Sequence, residues 1–290
     1  MMTKFSRIIQ GCMTWGAWGK QFNEQEMIAT MHHCLEAGIT TFDHADIYGD
    51  YTTEEDFGNA FAKADIPRDS IQLISKCGIQ MKGEARPENT IKHYQYDANY
   101  VISSAERSLK MLQTEYLDLF LLHRPSPLLR PDEVSKAVEQ LKSQGKIKAF
   151  GLSNFTPAQT DLVRTKTEVV ANQIEISLTT RESLTDGSLD YMMTHGIAPM
   201  SWSPLGSVFR EDTPQNQRIK KKLKSLSEKY NAKDDQLLLA WLLKHPSGIH
   251  PVIGTTNKER ITNAVTASDI ELELKDWFEL LEASVGEEVA

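Results

Sequence analysis

An α/β chain folded as one (β/α)8 barrel of the TIM type, with extra helices at its C-terminus, is the architecture this sequence predicts, and three observations predict it. Short apolar and β-branched runs alternate with longer amphipathic stretches, the pattern of βαβ units around a parallel sheet. The run LDLFLLH, Leu117 to His123, is apolar on both faces, as a strand covered on both sides must be. The length of 290 residues fits one barrel, which needs about 250.

Eight strands are expected, approximately Ile8 to Met13, Thr40 to Asp43, Ile71 to Cys77, Leu117 to His123, Ala149 to Ser153, Val169 to Glu175, Ala198 to Trp202 and Ile249 to Ile253. Amphipathic helices alternate with them, among them Glu24 to Ala37 and Asp97 to Leu112. Gly38 suits the position just past the first of these, where a left-handed backbone costs glycine little. Two helices, near Gln217 to Tyr230 and Asp234 to His245, separate the last two strands, and two more follow Asn257. No Pro/Gly/Ser-rich linker divides the chain, so residues 1–290 are expected to form one domain. Two connections are long, Gly78 to Tyr96 and Ser207 to Gln215; long loops in a compact domain are usually lids or binding loops.

A net charge of −8 repels phosphate backbones and anionic lipid, which argues against a general nucleic-acid or membrane-surface role. The one dense basic run, Lys220 to Lys224, carries Leu223 and Leu226 on its apolar side and is expected to be a solvated helix face. Three cysteines, Cys12, Cys34 and Cys77, form no CxxC pair; an odd count suits reduced thiols in the cytosol. MMTKFSRII lacks the apolar stretch of a signal peptide, and nowhere do 18 apolar residues run together, so a cytoplasmic protein is expected.

Barrels of this kind do their chemistry at the C-terminal strand ends. There the sequence places Asp43 with Tyr48 in the following loop, Lys76, His123, Ser153 with Asn154, Gln173, Trp202 with Ser203, and Gly254 with Thr255. An acid, a cation, a phenol and an imidazole on three consecutive βα units supply what carbonyl reduction requires. Hydride adds to the carbonyl carbon while the oxygen takes a proton from a positioned acid. Tyr48 is the candidate acid. A cation at about 4 Å, at an effective dielectric near 20, favours phenolate by roughly 4 kcal/mol, some three pKa units. Lys76 would thus draw Tyr48 toward a working pH, with Asp43 holding Lys76 and partly cancelling that shift. His123 would donate a hydrogen bond to the carbonyl oxygen.

No G-x-G-x-x-G follows the first strand, so a Rossmann site is not supported. Thr255, Thr256 and Asn257 instead lead into a helix bearing Lys258 and Arg260, an anion site suited to the 2′-phosphate of NADPH. The same pattern starts many ordinary helices.

At these residues the sequence resembles the aldo-keto reductase superfamily. The resemblance is carried over nearly the whole chain by TTFDHADIYG, LISKCG, LDLFLLHRP, GKIKAFGLSNF, NQIEIS, SWSPLGS and PVIGTTNKERI, in family order and spacing. It implies a catalytic tetrad of Asp43, Tyr48, Lys76 and His123, with Tyr48 as general acid. It implies that Ser153, Asn154 and Gln173 hold the nicotinamide carboxamide, that Trp202 stacks on the nicotinamide ring, and that Ser203, Leu205 and Gly206 run beneath the pyrophosphate. Thr255, Thr256 and Arg260 would take the 2′-phosphate. The cofactor would be NADPH (NADP+), bound without metal; no His/Cys/Asp cluster has metal-ligand spacing.

Two positions depart from the best-known branch. Gly254 stands where many members carry a phosphate-binding lysine, and Ala264 where an asparagine often meets adenine, which leaves Arg260 as the main discriminator for NADPH over NADH. HRP after strand four and the GEARPENTIKHYQY loop suggest a bacterial branch of NADP-dependent oxidoreductases. The substrate, a small carbonyl compound, would meet a rim of Trp15, Trp18, Tyr94, Tyr96 and Arg124. Arg124 would pair with a neighbouring carboxylate or, alternatively, attract an acidic substrate group. Two other function classes stay open: a Lys76 Schiff-base lyase, which borohydride trapping would reveal, and a nicotinamide-binding sensor with negligible turnover. The sequence does not set the oligomeric state.

Overall fold

Alternation along each parallel strand decides which side chains face the barrel axis and which face the helices. The computed structural model describes residues 5–288, so the expectation about a leader begins outside the described residues. In chain order the elements are β1 (Ile9–Gly11), α1 (Glu24–Glu36), β2 (Thr41–Asp43), the kinked turn α2 (Tyr48–Tyr51), α3 (Thr53–Phe61), β3 (Gln72–Cys77), β4 (Ile79–Gln80), β5 (His93–Tyr94) and α4 (Ala98–Met111). There follow β6 (Leu117–Leu122), α5 (Pro131–Ser143), β7 (Ile147–Ser153), α6 (Pro157–Arg164), β8 (Ala171–Glu175), α7 (Ser188–His195), β9 (Ala198–Trp202), α8 (Pro214–Tyr230), α9 (Asp234–Leu243), β10 (His250–Ile253), α10 (Lys258–Thr266) and α11 (Leu274–Val285).

Strands β1, β2, β3, β6, β7, β8, β9 and β10 pair in that order and close on β1. Every barrel pairing is parallel. The predicted (β/α)8 barrel with C-terminal helices is what the chain forms. Strand one is shorter than expected because after Cys12, whose N–H bonds Asp43 O, the chain turns through a Trp15 to Cys12 backbone bond. Strand five begins earlier, where Ile147 pairs with Leu117. The long connection after β3 is not structureless: β4 and β5 form an antiparallel hairpin inside it.

Local chemistry sets the helix ends. Asn23 and Glu26 form a reciprocal capping box at α1, whose buried residues Met27, Thr30, Met31 and Cys34 recur at helical spacing. Gly38 follows at φ +93°, as its position requires. Helix α8 starts three residues before the predicted Gln217 because Thr213 caps it and Pro214 occupies its first turn. Of the basic run, Lys221 and Lys224 are exposed. Lys222 pairs with Glu279 of α11 at 3.0 Å, while Leu223 and Leu226 are buried.

Two apolar shells result. Ile9, Ile74, Leu119, Leu121 and Met200 fill the barrel, whereas Phe42, Phe120, Leu122 and Phe150 pack under the helices. On β3 this parity turns Lys76, like Ile74, inward, and sends Ser75 outward to Glu54 of α3. Among the described residues no helix is long and apolar enough to cross a membrane.

Candidate active site

The barrel axis ends in a cavity of about 680 Å³ at the C-terminal strand ends. Asp43 enters from the end of β2, Tyr48 from the turn that follows, and His123 from the residue after β6. Lys76, fully buried on β3, lies behind them rather than on the wall. Its Nζ donates to Asp43 Oδ2 at 2.8 Å, to the His44 carbonyl at 2.7 Å and to the Tyr48 hydroxyl at 3.1 Å. The phenol of Tyr48 meets the His123 ring edge to face, with centroids 6.2 Å apart. His123 Nδ1 is buried without a partner, and the ring borders the cavity.

Along one wall runs a relay of amides. Gln173 Nε2 donates to Asp43 Oδ1 at 3.0 Å, which ties β8 to the tetrad and leaves the Gln173 amide oxygen without a described donor. Ser153 Oγ donates to the Gln173 carbonyl at 2.9 Å and accepts from Asn154 Nδ2 at 2.8 Å. Asn154, at φ +64°, also accepts from Trp202 Nε1 at 2.9 Å. Its amide oxygen thus holds Trp202 while its nitrogen is taken up by Ser153 and the His123 carbonyl.

Beyond Trp202 the wall continues through Ser203, Leu205 and Gly206. Gly206 has φ +56°, and a Cβ there would stand 2.0 Å from Thr179 Oγ1, so only glycine lets this loop lie against β8's continuation. The far end is bordered by Gly254, Thr255, Arg260 and Ala264. Thr256 does not border the cavity, whereas Arg260 sits in the first turn of α10, which Asn257 caps. A Cβ at Gly254 would meet nothing within 4 Å.

The aldo/keto reductase family profile matches residues 7–284. The chain belongs to the aldo/keto reductase family. It is 38% identical to the oxidoreductase YcsN of Bacillus subtilis over 99% of this chain and 96% of that protein. It is also 38% identical to a 6-dehydroglucose reductase of Agrobacterium fabrum, over 90% of this chain and 89% of that one. Among solved structures, a thermostable aldo-keto reductase in complex with the inhibitor epalrestat superimposes with a TM-score of 0.82 at 25% identity, covering 97% of this chain and 96% of its own. A Bombyx mori aldo-keto reductase in complex with NADP gives 0.76 at 23% identity, over 95% and 88% of the two chains. The chain is thus an oxidoreductase of a family that works with nicotinamide cofactors.

The electrostatics of this aldo-keto reductase correct one expectation. Burial raises the Tyr48 phenol above its ordinary value; Lys76 pulls it down and Asp43 pushes it up, and burial prevails. A charge pair considered at a surface-like dielectric omits that desolvation. Lys76 feels burial in the opposite sense, but Asp43 and Tyr48 outweigh it and hold the ammonium above its usual range. Burial, reinforced by Lys76, Arg124 and Lys92, keeps His123 well below the usual imidazole value. The site in the reductase is therefore a protonated phenol, a charged ammonium and a neutral imidazole.

The rim also differs from expectation. Trp15 is fully buried, packing against Phe22, Phe42 and Phe57 under the loop after β1. Tyr96 is buried over Gly78, its hydroxyl donating to the Arg124 carbonyl. Tyr94 packs half-buried against the core and is not on the cavity wall. Trp18 is on the wall, 41% exposed, with its ring centroid 6.3 Å from that of Tyr48. Arg124 forms no ion pair among the described residues and lies over the Trp202 ring, 5.4 Å from its centroid. Met13, Ile47, Ile79, Phe209, Arg210 and Asp235 border the cavity as well. Nothing in the sequence marks Asp235, on the first turn of α9; Ile47 and Ile79 were findable as neighbours of Tyr48 and Cys77.

Proposed function

We propose that the protein is a single-domain, cytoplasmic, NADPH-dependent reductase of aldehyde and ketone carbonyls, with Tyr48 as proton donor. The observation that carries this is the Tyr48 hydroxyl bonded to a buried, Asp43-paired Lys76 at the mouth of a cavity that extends to Arg260. A pure binder would have no use for a proton donor so placed.

The cavity fits the cofactor. It runs from the tetrad to a capped helix N-terminus with a cation, past the flat face of Trp202 and the glycine cradle at Gly206. Ser153 and the free amide oxygen of Gln173 would hold the carboxamide, and Asn154 would act chiefly by fixing Trp202 for stacking. Ser203, Leu205 and Gly206 would lie under the pyrophosphate, and Gly254, Thr255 and Arg260 at the adenosine end, with Thr256 supporting the turn. Bound there, the nicotinamide supplies hydride to the carbonyl carbon.

Tyr48 then gives its phenolic proton to the carbonyl oxygen, and Lys76, 3.1 Å away, stabilises the phenolate that results. Asp43 and the His44 carbonyl fix Lys76 in place. Neutral His123, with Nδ1 unpartnered inside, directs its Nε2–H at the same oxygen and so polarises the carbonyl. A fully buried, charged Lys76 is a poor amine nucleophile, which counts against the Schiff-base alternative. The relative named as a 6-dehydroglucose reductase keeps sugar-derived carbonyls among the proposed substrates.

The test is transfer from NADPH deuterated at nicotinamide C4 to a panel of aldehydes and ketones. Deuterium at the carbinol carbon of the product is expected. Stoichiometric NADPH binding with no product from any carbonyl would overturn the reading in favour of a sensor.

A further inference from the structure

The cavity wall carries two cations, Arg124 and Lys92, that form no ion pair among the described residues. Arg124 directly follows His123; its guanidinium is half-buried over Trp202 and, among the described residues, donates no hydrogen bond and makes no ion pair. A guanidinium has five N–H donors in a planar fork, and here all of them are left to solvent or to a ligand that supplies acceptors. Lys92, on the loop between β4 and β5, borders the same cavity and is likewise unpaired among the described residues. Glu175, whose carboxyl feels Arg124, is off the cavity wall and forms no ion pair with it.

The backbone of Arg124 is held while its head is left free. The Tyr96 hydroxyl bridges both the N–H and the carbonyl of Arg124, and Asn154 Nδ2 donates to the adjoining His123 carbonyl at 3.3 Å. From this fixed backbone the Arg124 side chain reaches the wall of the cavity that Tyr48 and His123 also line, over the Trp202 ring. Trp18, Ile47 and Ile79 line the same cavity and give it apolar wall for a short carbon skeleton.

We propose that the substrate is an anionic carbonyl compound, with a carboxylate or phosphate a few bonds from the reacting carbon, and that Arg124 takes this anion with Lys92 on the rim. The proposal rests on the reductase reading and adds to it a substrate class. A bidentate, charge-assisted contact of this kind sets orientation as well as affinity.

Matched pairs of carbonyls test it: a formylbenzoate against its methyl ester, succinic semialdehyde against butanal, and glyceraldehyde 3-phosphate against glyceraldehyde. The wild type is expected to favour the anionic member in kcat/KM by about ten- to a hundredfold, mostly through KM, the worth of one charge-assisted hydrogen bond. The three pairs separate carboxylate from phosphate. In Arg124→Met the anionic-to-neutral ratio should collapse toward one. Equal loss on both members, or no wild-type preference in any pair, would overturn the proposal. So would a matching loss of NADPH affinity, since the guanidinium would then serve a cofactor phosphate.

A second readout does not depend on turnover. Unreactive benzoate and succinate should quench tryptophan fluorescence of the NADPH-bound wild type and bind Arg124→Met at least about tenfold more weakly. Anion binding that is lost with Arg124 while every carbonyl remains unreduced would uphold this site and sink the reductase reading. Equal binding to both proteins would sink the site.

Discussion

Lys76 Nζ donates to the Tyr48 hydroxyl at 3.1 Å while fully buried and paired with Asp43 at 2.8 Å. The phenol is thereby aligned by a cation that cannot leave, yet burial keeps its proton on. Replacement of the hydroxyl alone isolates its role. Tyr48→Phe removes one acceptor from Lys76 and leaves its bonds to Asp43 and His44 in place. Carbonyl reduction should fall by about a hundred- to ten-thousandfold, the range of a lost general acid, with NADPH affinity changed by less than about threefold. Stopped-flow nicotinamide absorbance checks the first and fluorescence titration the second. Retention of more than a tenth of the rate would exclude Tyr48 as donor.

The same groups fix the pH dependence. Burial holds the Tyr48 phenol above its ordinary value, and burial with Lys76 holds His123 well below its own. Reduction requires a protonated phenol and a neutral imidazole, and both forms persist from weak acid to weak base. So kcat/KM for reduction should be level from about pH 6 to about pH 9 and decline only as pH climbs toward and past the ordinary phenol value of about 10. Alcohol oxidation requires phenolate, so its rate should rise throughout that interval. An inflection in reduction near the ordinary imidazole value of about 6.5 would show that His123 ionises in the working range.

Parity and motif order made the barrel and most of the site legible in the sequence. Asp43, Gln173 and Trp202 each sit at a strand end where alternation decides their side, and the structure gathers them at one mouth with Lys76 buried behind. What was not legible depends on how loops fold back. Trp15 and Trp18 are three residues apart in one loop, yet the first plugs against Phe42 and Phe57 and the second reaches Tyr48. Tyr96 found its place over Gly78 because that glycine has no Cβ to exclude the ring. The direction of the Tyr48 shift needed the burial of the phenol, which no residue spacing reveals.

Behind the tetrad a buried carboxyl ties stability to pH. Asp46 is 3% exposed, and its one ion-pair partner among the described residues is Arg107 at 3.5 Å. Burial, aided by Glu54, lifts its pKa to about 8. The folded state therefore binds a proton that the unfolded chain, near 3.9, has released, so stability falls as pH rises from about 4 to about 8. Asp46→Asn removes this dependence. Its Tm should exceed the wild type by about 3 °C or more at pH 8 and match it only at about pH 4 or below. An equal Tm difference at both pH values, measured by calorimetry, would mean that Asp46 does not titrate in this window.

Cofactor choice should turn on two opposed charges at the adenosine end. Arg260 and Asp235 border the same cavity, one from the first turn of α10 and the other from that of α9. A 2′-phosphate gains from the first and is repelled by the second, while a ribose hydroxyl can donate to the carboxylate. Arg260→Ala should weaken NADPH binding by about ten- to a hundredfold, as loss of a charge-assisted bond does, and change NADH by less than about threefold. Asp235→Asn should move the ratio the other way, tightening NADPH severalfold. Gly254→Lys adds a cation where a Cβ meets nothing within 4 Å, and should widen the preference for NADPH without loss of Tm. Titration of both cofactors against all three variants decides the matter. If Arg260→Ala weakens NADH as much as NADPH, its guanidinium reads something common to both, and the 2′-phosphate lies elsewhere.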